Sequence, residues 1–504
     1  MKTLKIICRS SRLSLAQAAI VKQRILAENS DVQVDIVTKD TAGDLDQTTP
    51  LYEMEGRDFF SKEIDAYLLS GEADIAVHSL KDLSAERINN TDFSSAIIER
   101  IDPRDVFILS KSGLEKLSNN EVIVIGTSSL RRQELAPVFL QKAVPYFKGK
   151  QANLECKPIR GNVDSRLSQL QSGKFDALIL AAAGLNRLLQ SEIDRHYTQS
   201  LLAGTKLMWL PLVECSPAPG QGALLAEALS SNADAVRVLQ SIHNAELAKL
   251  LSVERKAVET FGGGCHQKYG AVSIDYKGLR FTAIVGKDDQ EREVTDLQFE
   301  ATFNLDGRKL FSTTDFMSEF FSYEFLNTSI TIEQDIVFVA HHRAVTDDLV
   351  EVLKGKRVWC SGTKTWLELA QKGIWCEGCA DGLGFSFLND VFNTPLVAIP
   401  KENIHVLTNA QSEVQWKSEG IKASSTYKLV ADMSQAVIDE IKNADVLFWT
   451  NYQQYEVAQN FLKKDVVHIC PAGRTADLFL QSGINPLVFP NIKTFSAWRK
   501  RNIG

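Results

Sequence analysis

Apolar positions along this chain follow two rhythms, and the rhythm shifts twice. Through the first 240 residues, short solid apolar runs alternate with stretches in which apolar residues recur every three or four positions. The runs at 4–8, 32–37, 75–78, 122–125 and 177–182 are predicted as buried strands. The stretches 13–26, 62–69, 130–139 and 164–171 are predicted as helices between them. Such alternation gives α/β units with mostly parallel sheets. Near residue 241 the texture changes. A charged amphipathic helix over 245–259 leads into a run of glycines, and 271–285 and 297–303 then alternate like half-exposed strands. A small α+β domain fits there, and 327–334 reads as a linker.

Beyond the linker the chain repeats itself. Asp335-Ile336-Val337-Phe338-Val339 is echoed by Asp445-Val446-Leu447-Phe448-Trp449, Thr365 by Thr475, and Gly373-Ile374 by Gly483-Ile484, at a constant offset of 110 residues. Each copy predicts a strand, a helix, a second strand and a threonine-started helix closed by glycine. Two similar α/β lobes are therefore expected in the C-terminal part.

A length of 504 residues exceeds one domain. With 44% hydrophobic and 24% charged residues the composition is that of globular domains. A net charge of −7 argues against nucleic-acid binding, which wants a basic face. No apolar run approaches a membrane span, and the apolar stretch at the N-terminus is too short for a signal peptide. Eight scattered cysteines suit reduced thiols in a cytoplasm. Cys376-Glu377-Gly378-Cys379 is an isolated pair. Zinc would want a second pair, and only Cys360 is near, so no metal is expected.

In α/β sheets ligands collect where strands run into helices, and the chemically suggestive residues fall at such places. Gly126-Thr127-Ser128-Ser129-Leu130-Arg131-Arg132 puts small hydroxyl residues and two arginines at a predicted helix start, where free N–H groups favour anions. Alone, it is equally a capped helix with two solvated arginines. Arg160-Gly161-Asn162-Val163-Asp164-Ser165-Arg166 repeats the pattern, as do Arg9-Ser10-Ser11 and Asn186-Arg187. Four arginine-bearing turns in an acidic chain point to one polyanionic ligand and leave phosphates and carboxylates both open. No GxxxxGK[ST] lies near them, which weakens a nucleotide reading. Lys81-Asp82 follows a strand bearing His78 and Ser79. Among so many cations Asp82 stays ionised and suits stabilising a developing positive charge; the plain alternative is a surface ion pair. Cys265 follows Gly262-Gly263-Gly264, so its thiol projects from an open loop with room for something large, or is an ordinary loop residue.

Taken together, His78–Asp82, Gly126–Gln133 and the Cys265 loop resemble porphobilinogen deaminase, also called hydroxymethylbilane synthase. The resemblance covers about residues 4–320 and includes Asp102-Pro103-Arg104-Asp105, 181–188 and Pro217-Ala218-Pro219-Gly220-Gln221-Gly222-Ala223. It implies two periplasmic-binding-protein-like α/β lobes, 1–100 plus 222–240 and 101–221, and a small α+β domain, 241–325, carrying the cofactor cysteine. It also implies a dipyrromethane covalently attached to Cys265, a catalytic carboxylate at Asp82, and cofactor contacts from Ser79, Lys81, Thr127, Ser128, Ser129, Arg131, Arg132, Asn162 and Gln221. Arg9, Ser11, Gln17, Arg160, Arg166 and Arg187 match groups that grip porphobilinogen and the growing linear tetrapyrrole. A mobile segment, 56–62, carries Phe60 and Arg57, where many members have lysine. A cytoplasmic monomer is the expectation, with no nucleic-acid or membrane partner. A two-lobed anion-binding protein without chemistry is the competing reading; Cys265 and Asp82 favour the enzyme, because a mere binder needs neither.

The repeat, 330–504, resembles uroporphyrinogen-III synthase, on the strength of Thr365, Thr475, Tyr427 in Ser425-Thr426-Tyr427-Lys428, and Thr450-Asn451 after a strand. Tyr427, Thr450 and Thr475 are its candidate site residues. Ala340-His341 stands where a Thr-Ser pair is common, and the opening strands of the pattern look missing. The resemblance implies a fused cyclising module; the alternative is an inactive docking or stabilising module.

Overall fold

The computed structural model describes residues 2–40, 62–84, 90–259, 268–288, 290–299, 303–316, 318–327 and 329–503. Arg57, Phe60 and Cys265 lie outside the described residues.

The predicted N-terminal strands form two five-stranded sheets. The first has the order β2-β1-β3-β10-β4, from β1 (Lys2–Arg9), β2 (Val32–Lys39), β3 (Ile75–Ser79), β4 (Phe93–Arg100) and β10 (Ala223–Leu229). The second has the order β7-β6-β8-β5-β9, from β5 (Asp105–Leu109), β6 (Val122–Gly126), β7 (Asn153–Lys157), β8 (Ala177–Ala181) and β9 (Lys206–Trp209). Neither sheet is mostly parallel, as the alternation suggested. β10 runs antiparallel to β3 and β4, and β5 runs antiparallel to β8 and β9. The cause is topological. The chain crosses from the first lobe to the second at 101–104 and returns at 210–222, so each lobe receives strands from opposite directions. The crossings touch: Ile101 N donates to Gly222 O at 3.2 Å, and a Cβ on Gly222, with φ +84°, would lie 2.3 Å from Ile101 O.

Helix α1 (Arg12–Glu28) starts one turn after β1, capped by the Ser11 hydroxyl, which accepts from Ser14 N at 3.2 Å. Helix α2 (Leu130–Ala143) follows β6 in the same way, with Ser129 as its cap. Helix α3 (Val163–Gln171) follows β7, and helix α4 (Ala182–Gln190) follows β8. These are the turns that carry the candidate arginines.

Helix α5 (Ala245–Glu259) then packs on a three-stranded antiparallel sheet of β11 (Lys268–Tyr276), β12 (Leu279–Lys287) and β13 (Glu293–Gln298). That sheet ends at Gln298. β14 (Leu310–Ser312) pairs in parallel with β21 (Val446–Phe448), and β15 (Phe321–Phe325) pairs antiparallel with β20 (Lys422–Ala431). These are opening strands for the C-terminal part, where none was expected. At three and five residues they are too short to register as apolar runs.

The repeat folds as two lobes. An inner six-stranded sheet has the order β15-β20-β19-β16-β17-β18, with β16 (Ile336–Val339), β17 (Arg357–Cys360), β18 (Cys376–Cys379) and β19 (Ile404–Asn409). An outer four-stranded sheet has the order β14-β21-β22-β23, with β22 (Val467–Pro471) and β23 (Leu487–Phe489). β16-β17-β18 and β21-β22-β23 are the two copies. The helices that hold the repeated threonines begin on glycine caps, Gly362 and Gly473, and not on the threonines, which lie inside the first turn. The inner lobe is inserted within the outer one, entered through β15 and left through β20. Among the described residues no helix is long and apolar enough to cross a membrane.

The inner lobe does not stand apart from the second N-terminal lobe. Phe107, Ile123, Phe139 and Ala143 share one apolar cluster with Val337, Val339, Trp366 and Leu369. On the other face Val106, Ile108 and Trp209 share a cluster with Phe338, Trp359 and Ile404. Trp366 is fully buried, donates its indole N–H to Ala143 O at 3.0 Å, and meets Phe139 edge-on at 5.2 Å. The edge strand β9 is covered where Trp375 Nε1 donates to Leu207 O at 2.9 Å. A chain ended at Gln334 would leave these clusters half-built. Such a chain should melt roughly 5 °C or more below the full protein and bind a hydrophobic dye that the full protein does not; differential scanning fluorimetry and dye titration check this.

Candidate functional site

One carboxylate organises the centre of the N-terminal half. Asp105, 1% exposed at the start of β5, accepts from Arg131 Nη2 at 2.8 Å through one oxygen and from Arg132 Nη2 at 2.7 Å through the other. Gln221 Nε2 adds a third bond at 2.8 Å and also donates to Pro103 O at 2.7 Å, so the second crossing is tied to the first. Arg131 continues to Ser216 O at 2.6 Å and Arg132 to Ile179 O at 3.1 Å. Burial alone would push the Asp105 carboxyl up; Arg131 and Arg132 outweigh it and hold the group well below the usual carboxylate range.

The arginines are nonetheless unfinished. Among the described residues, the buried Nε–H groups of Arg131 and Arg132 find no hydrogen-bond partner. Both residues sit in the first turn of α2, where the helix dipole already favours an anion. Lys81 belongs to the same field. Its pKa falls to about 8, first through the surrounding protein and then through Arg132 and Arg131, with Asp82 opposing, although part of its side chain faces solvent. Arg166 is lowered to about 10 by burial, then by Arg132 and Arg160. Its Nε–H is held by Gly161 O at 2.8 Å. Arg131, Arg132 and Arg160 are thus close enough to act on Lys81 or Arg166. That field fits a ligand bearing several carboxylates, and the orphaned N–H donors are those such a ligand would satisfy.

The other candidates divide. Asp82 is exposed at the end of the short 3-10 turn Leu80–Asp82 that follows β3. Gln17 donates to the Ser79 hydroxyl at 2.9 Å and braces that turn from α1. Arg9 ends β1, and Ser11 caps α1. Thr127 is buried and its hydroxyl accepts from Ser129 N at 3.4 Å; Ser128 exchanges bonds with both backbone groups of Ile159. Asn162 caps α3 without a side-chain cap bond. Arg187 is 2% exposed and bonded to Glu99 Oε1 at 3.2 Å and Gly222 O at 2.9 Å, so it ties α4 across to the first lobe. Asp105 is the residue that sequence reasoning passed over. It stands in the quoted Asp102–Asp105 motif and opens a strand whose five residues are all buried.

In the C-terminal part Tyr427 lies on β20 of the inner lobe, Thr450 follows β21, and Thr475 lies on a helix of the outer lobe. Tyr427 is 3% exposed, packed on Tyr323 and Phe325, with its phenol pKa raised by burial. Thr450 donates its hydroxyl proton to Gln454 Oε1 at 2.8 Å, and Thr475 lies in the helix Arg474–Gln481. The mouth between the lobes is bridged: Arg474 lies 4.0 Å over the Trp416 ring and pairs with Glu419 at 2.8 Å. His341 is driven down to about 3 by burial and then by His342 and Arg343, so it is neutral near pH 7. Cys360, Cys376 and Cys379 lie buried in the apolar cluster shared with the second lobe.

Two crossed lobes around a cluster of cations, with the buried Nε–H donors of Arg131 and Arg132 unmatched among the described residues, define a protein suited to an anionic ligand. Residues 4–237 match the family model of the dipyromethane cofactor binding domain of porphobilinogen deaminase. The porphobilinogen deaminase of Fusobacterium nucleatum is 35% identical over 280 residues, 55% of this chain and 85% of its own. That of Francisella tularensis is 34% identical over 294 residues, 58% of this chain and 89% of its own. Among solved structures, the regulatory domain of a LysR family regulator from N. meningitidis covers 49% of this chain at 14% identity and TM-score 0.24, too low to bear on the fold. This chain belongs to the porphobilinogen deaminase family and carries the family's dipyrromethane cofactor domain.

Asp105→Asn should leave two buried guanidiniums without their counter-charge and destabilise the protein by about 3–5 kcal/mol. Because the carboxyl is held low, its contribution is complete above the ordinary carboxyl pKa of about 4 and is lost as pH falls towards the folded value. Urea unfolding should therefore show a constant parent-to-variant gap from about pH 5 to 8 that shrinks below about pH 4.

Proposed function

We propose that the first 300 residues condense porphobilinogen, with loss of ammonia, into the linear tetrapyrrole hydroxymethylbilane, on a dipyrromethane attached to Cys265. The observation that carries this is the pair Arg131 and Arg132, seated on Asp105 with buried N–H donors left over, beside Lys81 and Asp82. A covalently held group with several carboxylates is what such a seat would take. When bound, the dipyrromethane supplies the pyrrole carbon from which the chain grows.

The residues then divide the work. Arg131, Arg132 and Lys81 hold carboxylates that do not move. Arg9 and Ser11, where β1 runs into α1, and Arg160 and Arg166, where β7 runs into α3, hold those of the arriving porphobilinogen and the lengthening chain. As the carbon–nitrogen bond breaks and ammonia leaves, the substrate becomes cationic, and the Asp82 carboxylate stabilises that charge. A new carbon–carbon bond forms at the methylene carbon that ammonia left, and the attacking pyrrole of the chain returns to aromaticity by losing its α-proton. Exposed ion pairs are worth only about 0–1 kcal/mol each, so the grip depends on the cleft between the lobes. The double crossing, like that of periplasmic binding proteins, is the hinge for that cleft.

Intact mass and turnover test this together. The purified holoprotein should exceed its sequence mass by two condensed pyrrole units, and Cys265→Ser should lose that increment. Asp82→Asn should keep it and lose about 10²-fold or more in rate. An unmodified but active parent would overturn the reading.

The C-terminal lobes support two readings. Their repeat and inserted connectivity suit a uroporphyrinogen-III synthase-like module. The apolar clusters shared with the second lobe and the bridged mouth favour a docking role instead. Feeding porphobilinogen to the full chain and separating the uroporphyrinogen isomers decides between them. Spontaneous closure gives only type I, the outcome expected of a docking module; type III would make the chain bifunctional.

A further inference from the structure

Arg104 and Leu212 lie on the two separate crossings between the N-terminal lobes, yet both are held by one residue of the C-terminal part. Asp381, in the turn after β18, accepts from Arg104 Nη2 at 2.8 Å through one carboxylate oxygen and from Leu212 N at 2.9 Å through the other. Asp381 is 6% exposed and Arg104 2%. The Asp381 backbone has φ +51°, a region that non-glycine residues hold only where the surroundings fix it. Those surroundings are present. Asn491 Nδ2 donates to Asp381 O at 3.3 Å, and the Phe387 ring lies 5.2 Å beneath the Arg104 guanidinium.

We propose that Asp381 is a positioning residue for the deaminase site: it pins both lobe crossings and thereby sets Asp105, the seat of Arg131 and Arg132. The link is short. Arg104 is the neighbour of Asp105 in the chain, and Gln221, on the second crossing, bonds to Asp105 Oδ1 and to Pro103 O. Among the described residues of the N-terminal half, Arg104 has one carboxylate partner, Asp102. Lobe hinges are a few backbone positions that absorb the change in angle, and here they share an external anchor. Two crossings bonded to one buried carboxylate cannot slide past each other. The C-terminal part thus contributes to the N-terminal reaction without touching its substrate.

This inference rests on the proposed condensation, and the test separates the two. The full-length holoenzyme is compared with Asp381→Asn and with Trp375→Phe, which loosens the same interface at β9 without touching either crossing. Asparagine can still accept from Leu212 N but leaves Arg104 without its second counter-charge. For Asp381→Asn, kcat should fall about tenfold with KM within about threefold, because displaced carboxylate holders slow a step more than they weaken substrate capture. Hydrogen exchange of 101–105 and 210–216 should quicken by about tenfold or more. Trp375→Phe should lower Tm and change neither reading. Parental kinetics and exchange in Asp381→Asn, or the same losses in Trp375→Phe, would overturn the inference. If Asp381→Asn does not fold, Arg104→Lys is read by the same criteria. The exchange measurement needs no turnover, so it judges the pinning even where an inactive parent has sunk the proposed reaction.

Discussion

Two arginines side by side in the first turn of a helix are electrostatically awkward. They sit at the positive end of the dipole, close to each other, and are nearly removed from water. Asp105 makes this arrangement tenable by giving each guanidinium one oxygen. Without that shared carboxylate the desolvation of two cations would go uncompensated. With it, two guanidiniums are held rigidly while some of their donors stay unmatched. The geometry of both crossings, the position of Gln221 and the start of α2 are all subordinate to this contact. A helix start that repels its own arginines is poorly suited to an isolated domain and well suited to an anionic partner.

Much of the N-terminal arrangement was legible because strand ends and helix caps have local signatures. Ser11 and Ser129 sit at the caps that the residue types called for. Asp105 was not legible as a seat for the arginines, because nothing in a linear pattern tells a carboxylate that will be buried from one that will face water. The contacts of Arg187 were not legible for the same reason, since its partners Glu99 and Gly222 lie on the other lobe. The antiparallel strands escaped because strand direction is set by the crossings and not by the residues of the strand.

In the C-terminal half the 110-residue offset was a reliable guide, since both copies fold into matching strand, helix and strand. The boundary before it was not. Leu310–Ser312 and Phe321–Phe325 have little apolar length, and only pairing with β21 and β20 makes them strands. The docking of the inner lobe was equally silent in the sequence. Trp366 and Trp375 each direct the indole N–H to a backbone carbonyl of the N-terminal half.

The nesting of one lobe inside another also governs the order in which the chain can acquire structure as it emerges from a ribosome. β14 must wait for β21, more than 130 residues later, and β3 must wait for β10. Neither edge can be completed early, so unpaired strands persist through much of synthesis, and such delayed long-range pairing is slow and prone to aggregation. The second lobe, contiguous from β5 to β9, is the first complete sheet the nascent chain can close. It is also the surface on which the inner lobe later settles. The earliest finished piece is therefore a template for the later ones, and the polypeptide matures outwards from its middle.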